Sequence, residues 1–491
     1  MVMKVTILGL GLFGGGAGAA RYFAERGHQV SVTDLRTEKQ LEPAMAELAG
    51  LPIHYYLGSH PDGLFRSADL VVVNPGVKPD SPQLWMARTA GVKLTTEINL
   101  VFELARAPIA GVTGSNGKST TAAMLAAMVR RTGRPTLLGG NLGGSLLREV
   151  EGYPAEGLIV LELSSFQLAR LAWAGRSPHL AVVTNITPNH LDWHPDFEDY
   201  ARAKEGIARS QTREDFLVLN SDCPMASRWE RWAAAKVARF STSGRPEETP
   251  CAWLENGKLM LDPGSGPEEI MSAAELPLPG RHNVANALAA SLAAELLNAE
   301  DAEVRGGRRG QQQDTSRNNN DKDQSHPLRT LRTSAASALS PALREFKGLP
   351  HRLELVAERG GVRFYNDSIA TTPEAAIAAL ESFDCPVALV AGGSDKGVSY
   401  EAFGRAAARR ADFVALTGPT GPKIRAAIEA AGGGKARLVD AKNFDDAVRL
   451  ATEAAGPGWA VLMSPASASF DEFPNFERRG ERFRELVPGN P

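Results

Sequence analysis

Cysteine is scarce: Cys223, Cys251 and Cys385 are the three in 491 residues, far apart and without a CxxC pair. That pattern excludes a disulfide framework or a zinc knuckle and fits a reducing, cytoplasmic location. Net charge is also small. Lys+Arg number 54 against 57 Asp+Glu, leaving −3, so no global basic field exists to hold nucleic acid or an anionic membrane, and any anion must be held locally. No apolar run reaches the roughly 20 residues of a membrane span. The start, Met1-Val-Met-Lys-Val-Thr-Ile-Leu, is apolar but runs into glycines without a small-residue cleavage pattern. It reads as a first strand, not a signal peptide. The length suits about three ordinary domains, each with its own core.

What is present in quantity is glycine, and its most informative use is Gly111-Val-Thr-Gly-Ser-Asn-Gly-Lys118-Ser119-Thr120-Thr121. The run follows the apolar Pro108-Ile-Ala-Gly-Val and precedes the Ala-rich stretch Ala122 to Arg131, so it reads as strand, loop, helix. Such a loop turns backbone N–H groups and a positive helix end toward phosphate oxygens, Lys118 adds a point charge, and Ser119 can reach magnesium. Gly114, Ser115, Asn116, Gly117, Lys118, Ser119 and Thr120 are the candidate nucleotide-phosphate ligands. The strict phosphate-loop pattern wants a glycine where this chain has Val112.

A second glycine turn lies near the start. Lys4-Val-Thr-Ile-Leu, then Gly9-Leu-Gly11-Leu-Phe-Gly14, a helical stretch to Arg26 and Gln29-Val-Ser-Val-Thr-Asp34 form a βαβ unit with dinucleotide-type spacing. A nicotinamide cofactor is one reading, but the same turn cradles any diphosphate, including that of a nucleotide sugar. Asp69-Leu-Val-Val-Val-Asn-Pro-Gly-Val predicts a later buried strand ending in a turn. Residues 1–96 are assigned to this domain. Residues 97–301 form a central one with buried strands at Leu158-Ile-Val-Leu-Glu162-Leu and Leu180-Ala-Val-Val-Thr-Asn185-Ile, and a helix opened by Gly280-Arg-His282-Asn283-Val-Ala-Asn286. Residues 302–344 carry almost no apolar side chains before Leu328 and are expected to be a solvated, disordered insertion. Residues 345–491 form a third α/β unit, with strands at Pro386-Val-Ala-Leu-Val-Ala, Phe413-Val-Ala-Leu and Trp459-Ala-Val-Leu-Met.

Glu162 ends an otherwise apolar strand, where a carboxylate needs a partner, and a metal is the natural candidate. His190 follows the next strand and can reach the same sheet edge, the carboxyl end at which open α/β sheets bind ligands. With Lys118 these residues would make a magnesium–nucleotide site. Alone, His190 would be an ordinary hydrogen-bonded loop histidine, and His194 keeps that reading.

GVTGSNGKSTT from 111, LELSSFQL from 161, TNITPNHLDWH from 184, YARAKEGI from 200, GRHNVANALAA from 280, FKGLPHRLE from 346, YNDSIATTPEA from 365 and LMSPASASFDEFPNFERRG from 462 together resemble the Mur ligases. These are the ATP-dependent amide-bond-forming enzymes of peptidoglycan synthesis, and the resemblance covers nearly the whole chain except the insertion. It implies an α/β fold of three domains: an N-terminal Rossmann-like UDP-binding domain, a central P-loop ATPase with a mostly parallel sheet, and a C-terminal Rossmann-like domain carrying the incoming amino acid.

The implied catalytic residues are Lys118, Glu162, His190 and Lys204. Lys118 and Ser119 would handle ATP phosphates and a first magnesium, and Glu162 and His190 a second. A carbamylated Lys204 would replace an ammonium by a carboxylate-like group that can join the magnesium ligands. Asn286, Arg352 and Asp367 match the remaining nucleotide contacts. Gly11, Leu12, Phe13, Arg36, Asn141, Ser164 and His190 match the UDP-substrate contacts, and Thr371, Lys396, Ser469 and Phe476 the amino-acid contacts. The implied reaction activates the carboxylate of UDP-N-acetylmuramoyl-L-alanine with ATP as an acyl phosphate, which the amine of D-glutamate attacks. Ile369 departs from the family's Asp-Ser-Lys-Ala-Thr, the chain reading Asp367-Ser-Ile-Ala-Thr371. L-Glutamate addition therefore stays open as an alternative, as does a folate-polyglutamate-synthetase-like ligase, which shares the ATPase core and glutamate addition. The expected partners are these small molecules, with no nucleic acid and no membrane, and a monomer is expected.

Overall fold

The computed structural model describes residues 2–11, 14–190, 193–314, 335–395 and 397–487, with backbone alone for 301–314 and 335–338. They divide into two compact units, Met1–Met271 with Ala285–Ala342, and Ser272–Val284 with Leu343–Pro491.

The first unit carries two sheets. β1 (Lys4–Leu8), β2 (Gln29–Asp34), β3 (Ile53–Leu57), β4 (Leu70–Val73) and β5 (Lys93–Thr95) align in parallel in the order β3-β2-β1-β4-β5. Every residue of β4, Leu-Val-Val-Val, is buried, as a parallel strand covered on both faces requires. The second sheet is built from β6 (Ile109–Thr113), β7 (Thr136–Gly140), β8 (Leu158–Glu162), β9 (Leu180–Val183), β10 (Phe216–Asn220), β11 (Lys236–Ser241), β12 (Cys251–Glu255), β13 (Lys258–Asp262) and β14 (Glu268–Ser272). Its order is β14-β13-β12-β11-β10-β9-β6-β8-β7. Chain order reverses between β6 and β9, and that switch point opens the crevice where such sheets bind ligands. One apolar core runs from Val5 and Val32 of the first sheet to Leu161 and Val183 of the second.

The hairpin of β12 and β13 is antiparallel, with Glu255 opposite Lys258. Asn256 and Gly257 between them take φ 50 and 75, the two left-handed residues of a type I′ turn. Asn-Gly between the strand sequences Ala-Trp-Leu-Glu and Lys-Leu-Met-Leu is a strong hairpin signal in the sequence.

The second unit holds β15 (Glu354–Arg359), β16 (Val362–Asn366), β17 (Val387–Gly392), β18 (Phe413–Thr417), β19 (Arg437–Asp440) and β20 (Ala460–Met463), in the order β15-β16-β20-β17-β18-β19. Only β15 runs antiparallel to its neighbour; β16, β20, β17, β18 and β19 are mutually parallel. The switch point here lies between β17 and β20. Cores on the two faces of the sheet centre on Leu389 and Leu462 and on Val390 and Val461.

The helix Arg281–Asp314 overruns the expected domain boundary at 301, and a further helix, Ala335–Glu345, occupies the end of the expected insertion. Helix propagation adds one hydrogen bond per residue fixed, so a helix nucleated on buried Ala287–Leu297 can extend into polar sequence. The rest of that segment, 315–334, lies outside the described residues.

Candidate active site

The phosphate-loop candidate starts where β6 ends. Val112 is fully buried within the strand, between Glu162 of β8 and Val182 of β9. The chain does not turn until Gly114, so a glycine at 112 has no task. Gly117 caps the helix Lys118–Arg131 in the left-handed region, with φ 82, and a Cβ there would strike Asn286 Oδ1. Asn286 Oδ1 also accepts from Thr121 Oγ1 at 3.2 Å, which ties the helix Arg281–Asp314 to this turn.

Ser115 and Asn116 brace the loop against the segment after β9. Ser115 N donates to Asn185 O at 2.8 Å, and its hydroxyl contacts Thr187 O at 2.8 Å and the Tyr200 hydroxyl at 2.9 Å. Asn116 N donates to Asn185 Oδ1 at 2.9 Å, while Thr184 Oγ1 donates to Asn116 O at 2.6 Å. Ser119 and Thr120 are buried in the first turn of the helix, whose leading N–H groups have no intrahelical partner. Lys118 Nζ donates to Ser115 O at 3.0 Å.

Behind the loop lies an amine that sequence alone would put in solvent. Lys204, on the helix Phe197–Glu205, is 1% exposed. Its Nζ donates to Gly114 O at 2.8 Å and Thr113 Oγ1 at 3.4 Å, and lies 4.7 Å from the Tyr200 ring centre. Burial holds its pKa well below the lysine range; Lys118 pushes the same way and Glu162 opposes. Glu162 is itself buried. Its Oε1 accepts from Asn141 Nδ2 at 2.9 Å, whereas its Oε2 is buried without a hydrogen-bond partner. A buried carboxylate oxygen lacking a donor is costly, and it suits a cation.

His190 has φ 54 and an exposed imidazole packed on Phe166, with ring centres 4.9 Å apart. His194, by contrast, is buried and fully engaged: Nδ1 pairs with Asp199 at 2.8 Å and Nε2 with Ser165 Oγ at 3.0 Å. Among the described residues no three His, Cys, Asp or Glu side chains cluster as metal ligands. Magnesium, an oxygen-seeking ion that commonly takes one or two carboxylates plus substrate phosphates, still fits Glu162 Oε2 with the Ser119 hydroxyl.

In the first sheet, Asp34 at the end of β2 is buried and committed. Its Oδ2 accepts from Leu10 N at 3.0 Å and Gly11 N at 3.3 Å, and its Oδ1 from Arg36 N at 2.9 Å. This acid shapes the glycine turn rather than presenting itself to a nicotinamide ribose. The Arg36 side chain stays half exposed beside it. Leu12 and Phe13 lie outside the described residues. Asn141 holds Glu162 through main chain and side chain alike, and Ser164 caps the helix Ser165–Leu171 in a capping box with Gln167.

Over 484 residues, 99% of this chain and 97% of the relative, the sequence is 38% identical to "UDP-N-acetylmuramoylalanine--D-glutamate ligase" of Symbiobacterium thermophilum. The chain belongs to the Mur ligase family. The same name is carried by a Roseiflexus relative, 38% identical over 499 residues, 99% of this chain and 98% of that one. The Mur ligase MurD-like N-terminal domain matches residues 3–96, the Mur ligase middle domain 112–294, and the Mur ligase glutamate ligase domain 351–467. The Thermotoga maritima UDP-N-acetylmuramate-alanine ligase MurC shares the fold at TM-score 0.55 and 19% identity, covering 98% of each chain. As a Mur ligase the protein is an ATP-dependent amide-bond-forming enzyme, and the family uses magnesium.

In the second unit of this Mur ligase, Asp367 and Thr371 follow β16, and Ser469 and Phe476 follow β20. Asp367 is buried, accepting from Leu353 N at 3.1 Å and Ser464 Oγ at 2.7 Å. Burial raises its carboxyl to about 7, against the lowering effect of those bonds and of Arg352. Thr371 follows β16, Ser469 is buried after β20, and Phe476 opens the helix Phe476–Leu486. Ile369 is half-buried, its N donating to His351 O at 3.1 Å. Lys396 lies outside the described residues.

Arg479, which the sequence reading passed over, joins these loops. Its guanidinium donates to Ser368 Oγ and O and to the carbonyls of Ser467 and Ala468, at 2.9 to 3.1 Å. Helical periodicity from Phe476 places Arg479 and Phe483 on one face and was the available signal.

Proposed function

We infer that the protein joins D-glutamate to UDP-N-acetylmuramoyl-L-alanine, converting ATP to ADP and phosphate, in cytoplasmic peptidoglycan precursor synthesis. Full-length relatives named for that reaction support the substrate pair. The observation that carries the ATP-driven chemistry is Glu162 Oε2, a buried acceptor without a donor at the carboxyl end of β8, next to the strand β6 that leads into the phosphate loop.

In the reaction, an oxygen of the L-alanyl carboxylate attacks the γ-phosphorus of ATP, and the bond to the β–γ bridging oxygen breaks, releasing ADP. The amine of D-glutamate then attacks the acyl carbon and loses a proton, and phosphate leaves with the C–O electron pair. Lys118 and the helix end at Ser119 offset charge on the transferring phosphoryl group. Ser119, Glu162 and His190 are the residues that would hold magnesium, which would supply further charge neutralisation when bound. Asn286, Arg352 and Asp367 serve the nucleotide. Gly11, Leu12, Phe13, Arg36, Asn141 and Ser164 serve the sugar nucleotide, and Thr371, Lys396, Ser469 and Phe476 the amino acid.

Lys204 is the candidate for carbamylation. Its buried amine favours the neutral form, which can add carbon dioxide: an N–C bond forms and a proton leaves. The resulting anion would exchange repulsion by Lys118 for attraction.

Phosphate release from ATP in the presence of UDP-N-acetylmuramoyl-L-alanine tests the reading. D-Glutamate should support release and L-glutamate should not; equal rates with the two would reassign the amine. Release that ignores the sugar nucleotide would end the ligase assignment.

A further inference from the structure

Arg170 lies in the last turn of the helix Ser165–Leu171 and is 3% exposed. Among the described residues no carboxylate pairs with it. Its NH1 donates to Asn74 O at 3.1 Å and Pro75 O at 2.9 Å, and its NH2 to Val77 O. The rings of Trp173 and Trp193 stand 5.6 and 5.9 Å away. Burial, with Arg88 nearby, brings its pKa down to about 10, so the guanidinium remains charged at neutral pH. A buried cation satisfied by three carbonyls of a single loop is an expensive way to glue two surfaces, since an apolar side chain of similar volume would cost less. Such an arrangement fixes the loop's geometry.

That loop is the floor of the first glycine turn. Asn74 N donates to Leu8 O at 2.9 Å, and a Cβ on Gly11, whose φ is 68, would come within 2.7 Å of Asn74 Nδ2. On the other side, the helix bearing Arg170 is capped by Ser164, two residues after Glu162. Asn99 Nδ2 donates to Arg170 O at 3.0 Å, anchoring the helix from below.

We propose that Arg170 is a positioning residue that sets the Asn74–Val77 loop under the glycine turn, holding the diphosphate end of the sugar nucleotide in register with the Glu162–Ser164 segment. The proposal rests on the reading of the first sheet as the sugar-nucleotide site.

Calorimetric binding of uridine diphosphate and of ATP to wild type, Arg170→Gln and Arg170→Lys, with thermal melting of each, tests it without requiring turnover. Arg170→Gln should weaken uridine diphosphate binding about tenfold or more, the effect of losing charge-assisted bonds, and leave ATP binding within about twofold. Arg170→Lys should recover part of the loss. Equal weakening of both ligands, or a lower melting temperature with unchanged uridine diphosphate binding, reduces Arg170 to a structural residue and overturns the proposal. If the Gln variant does not fold, the Lys variant decides on the same two affinities. Failure of the wild type to bind uridine diphosphate would instead remove the sugar-nucleotide reading itself.

Discussion

Two buried cations occupy equivalent stations in the two units. Lys204 lies behind the loop that follows β6, bonded to Gly114 O and Thr113 Oγ1; Arg479 lies behind the loop that follows β20, bonded to Ser368, Ser467 and Ala468. Each is almost fully buried at a switch-point sheet edge, and burial lowers the pKa of each. The outcomes differ because the groups differ. Arg479 falls only to about 10 and remains a charged fork that satisfies several carbonyls at once. Lys204, with fewer bonds and Lys118 pressing on it, is driven toward the neutral amine, a nucleophile. The same station thus holds a charged brace in one unit and, in the other, an amine that burial pushes toward its neutral form.

The phosphate end of the first unit offers the hardest test. Lys118→Ala should lower turnover by about 10²- to 10³-fold with unchanged circular dichroism, and near-normal phosphate release would remove the ATP site from this loop. The comparison itself is sharpened by a pair of variants. Lys204→Ala should lose about 10²-fold in turnover and regain part of it with short carboxylic acids, which replace the carbamate. Arg479→Lys should instead cost about 2 to 4 kcal/mol of stability and raise KM for glutamate, and no acid should rescue it. Acid rescue of both, or of neither, would erase the distinction.

The brace unit also carries a pH signature. Asp367 is raised from 3.8 to about 7 by burial, so folding takes up a proton between those values. Its stabilising contribution is full below about pH 4 and is lost as pH rises through about 7, by at most about 4 kcal/mol. Denaturant titrations of wild type and Asp367→Asn across this range should show that slope only in the wild type. The smallest effect is expected outside both stations: deleting 315–330 should leave turnover within about twofold, because so polar a sequence has little apolar surface to bury. A loss of folding on deletion would give that polar segment a structural role.

Much of the frame was legible. Leu158–Glu162 and Leu180–Val183 are continuous apolar strands, and the glycine, lysine and hydroxyls of 114–120 sit in a strand–loop–helix context readable within a dozen residues. The Asn256-Gly257 hairpin was equally readable and went unread. Other features had no local trace. Asp34 has the spacing of a ribose ligand, yet its oxygens are taken by Leu10, Gly11 and Arg36. Lys204 sits in a helix whose sequence, Phe-Glu-Asp-Tyr-Ala-Arg-Ala-Lys-Glu, is that of a solvated surface. Ser115 and Asn116 look like phosphate ligands and serve as braces.

The sequence by itself determined the buried strands and the place of the phosphate loop, because hydrophobic period, turn chemistry and glycine spacing act over a few residues. Only the tertiary structure decided which charges are buried and against what. Glu162 meets the loop because β8 pairs with β6 in one register, Val112 opposite Glu162, and Arg170 meets Asn74 across 96 positions of chain. The energy of a charge depends on the groups and solvent around it in space, and for these residues that surrounding is assembled from distant segments.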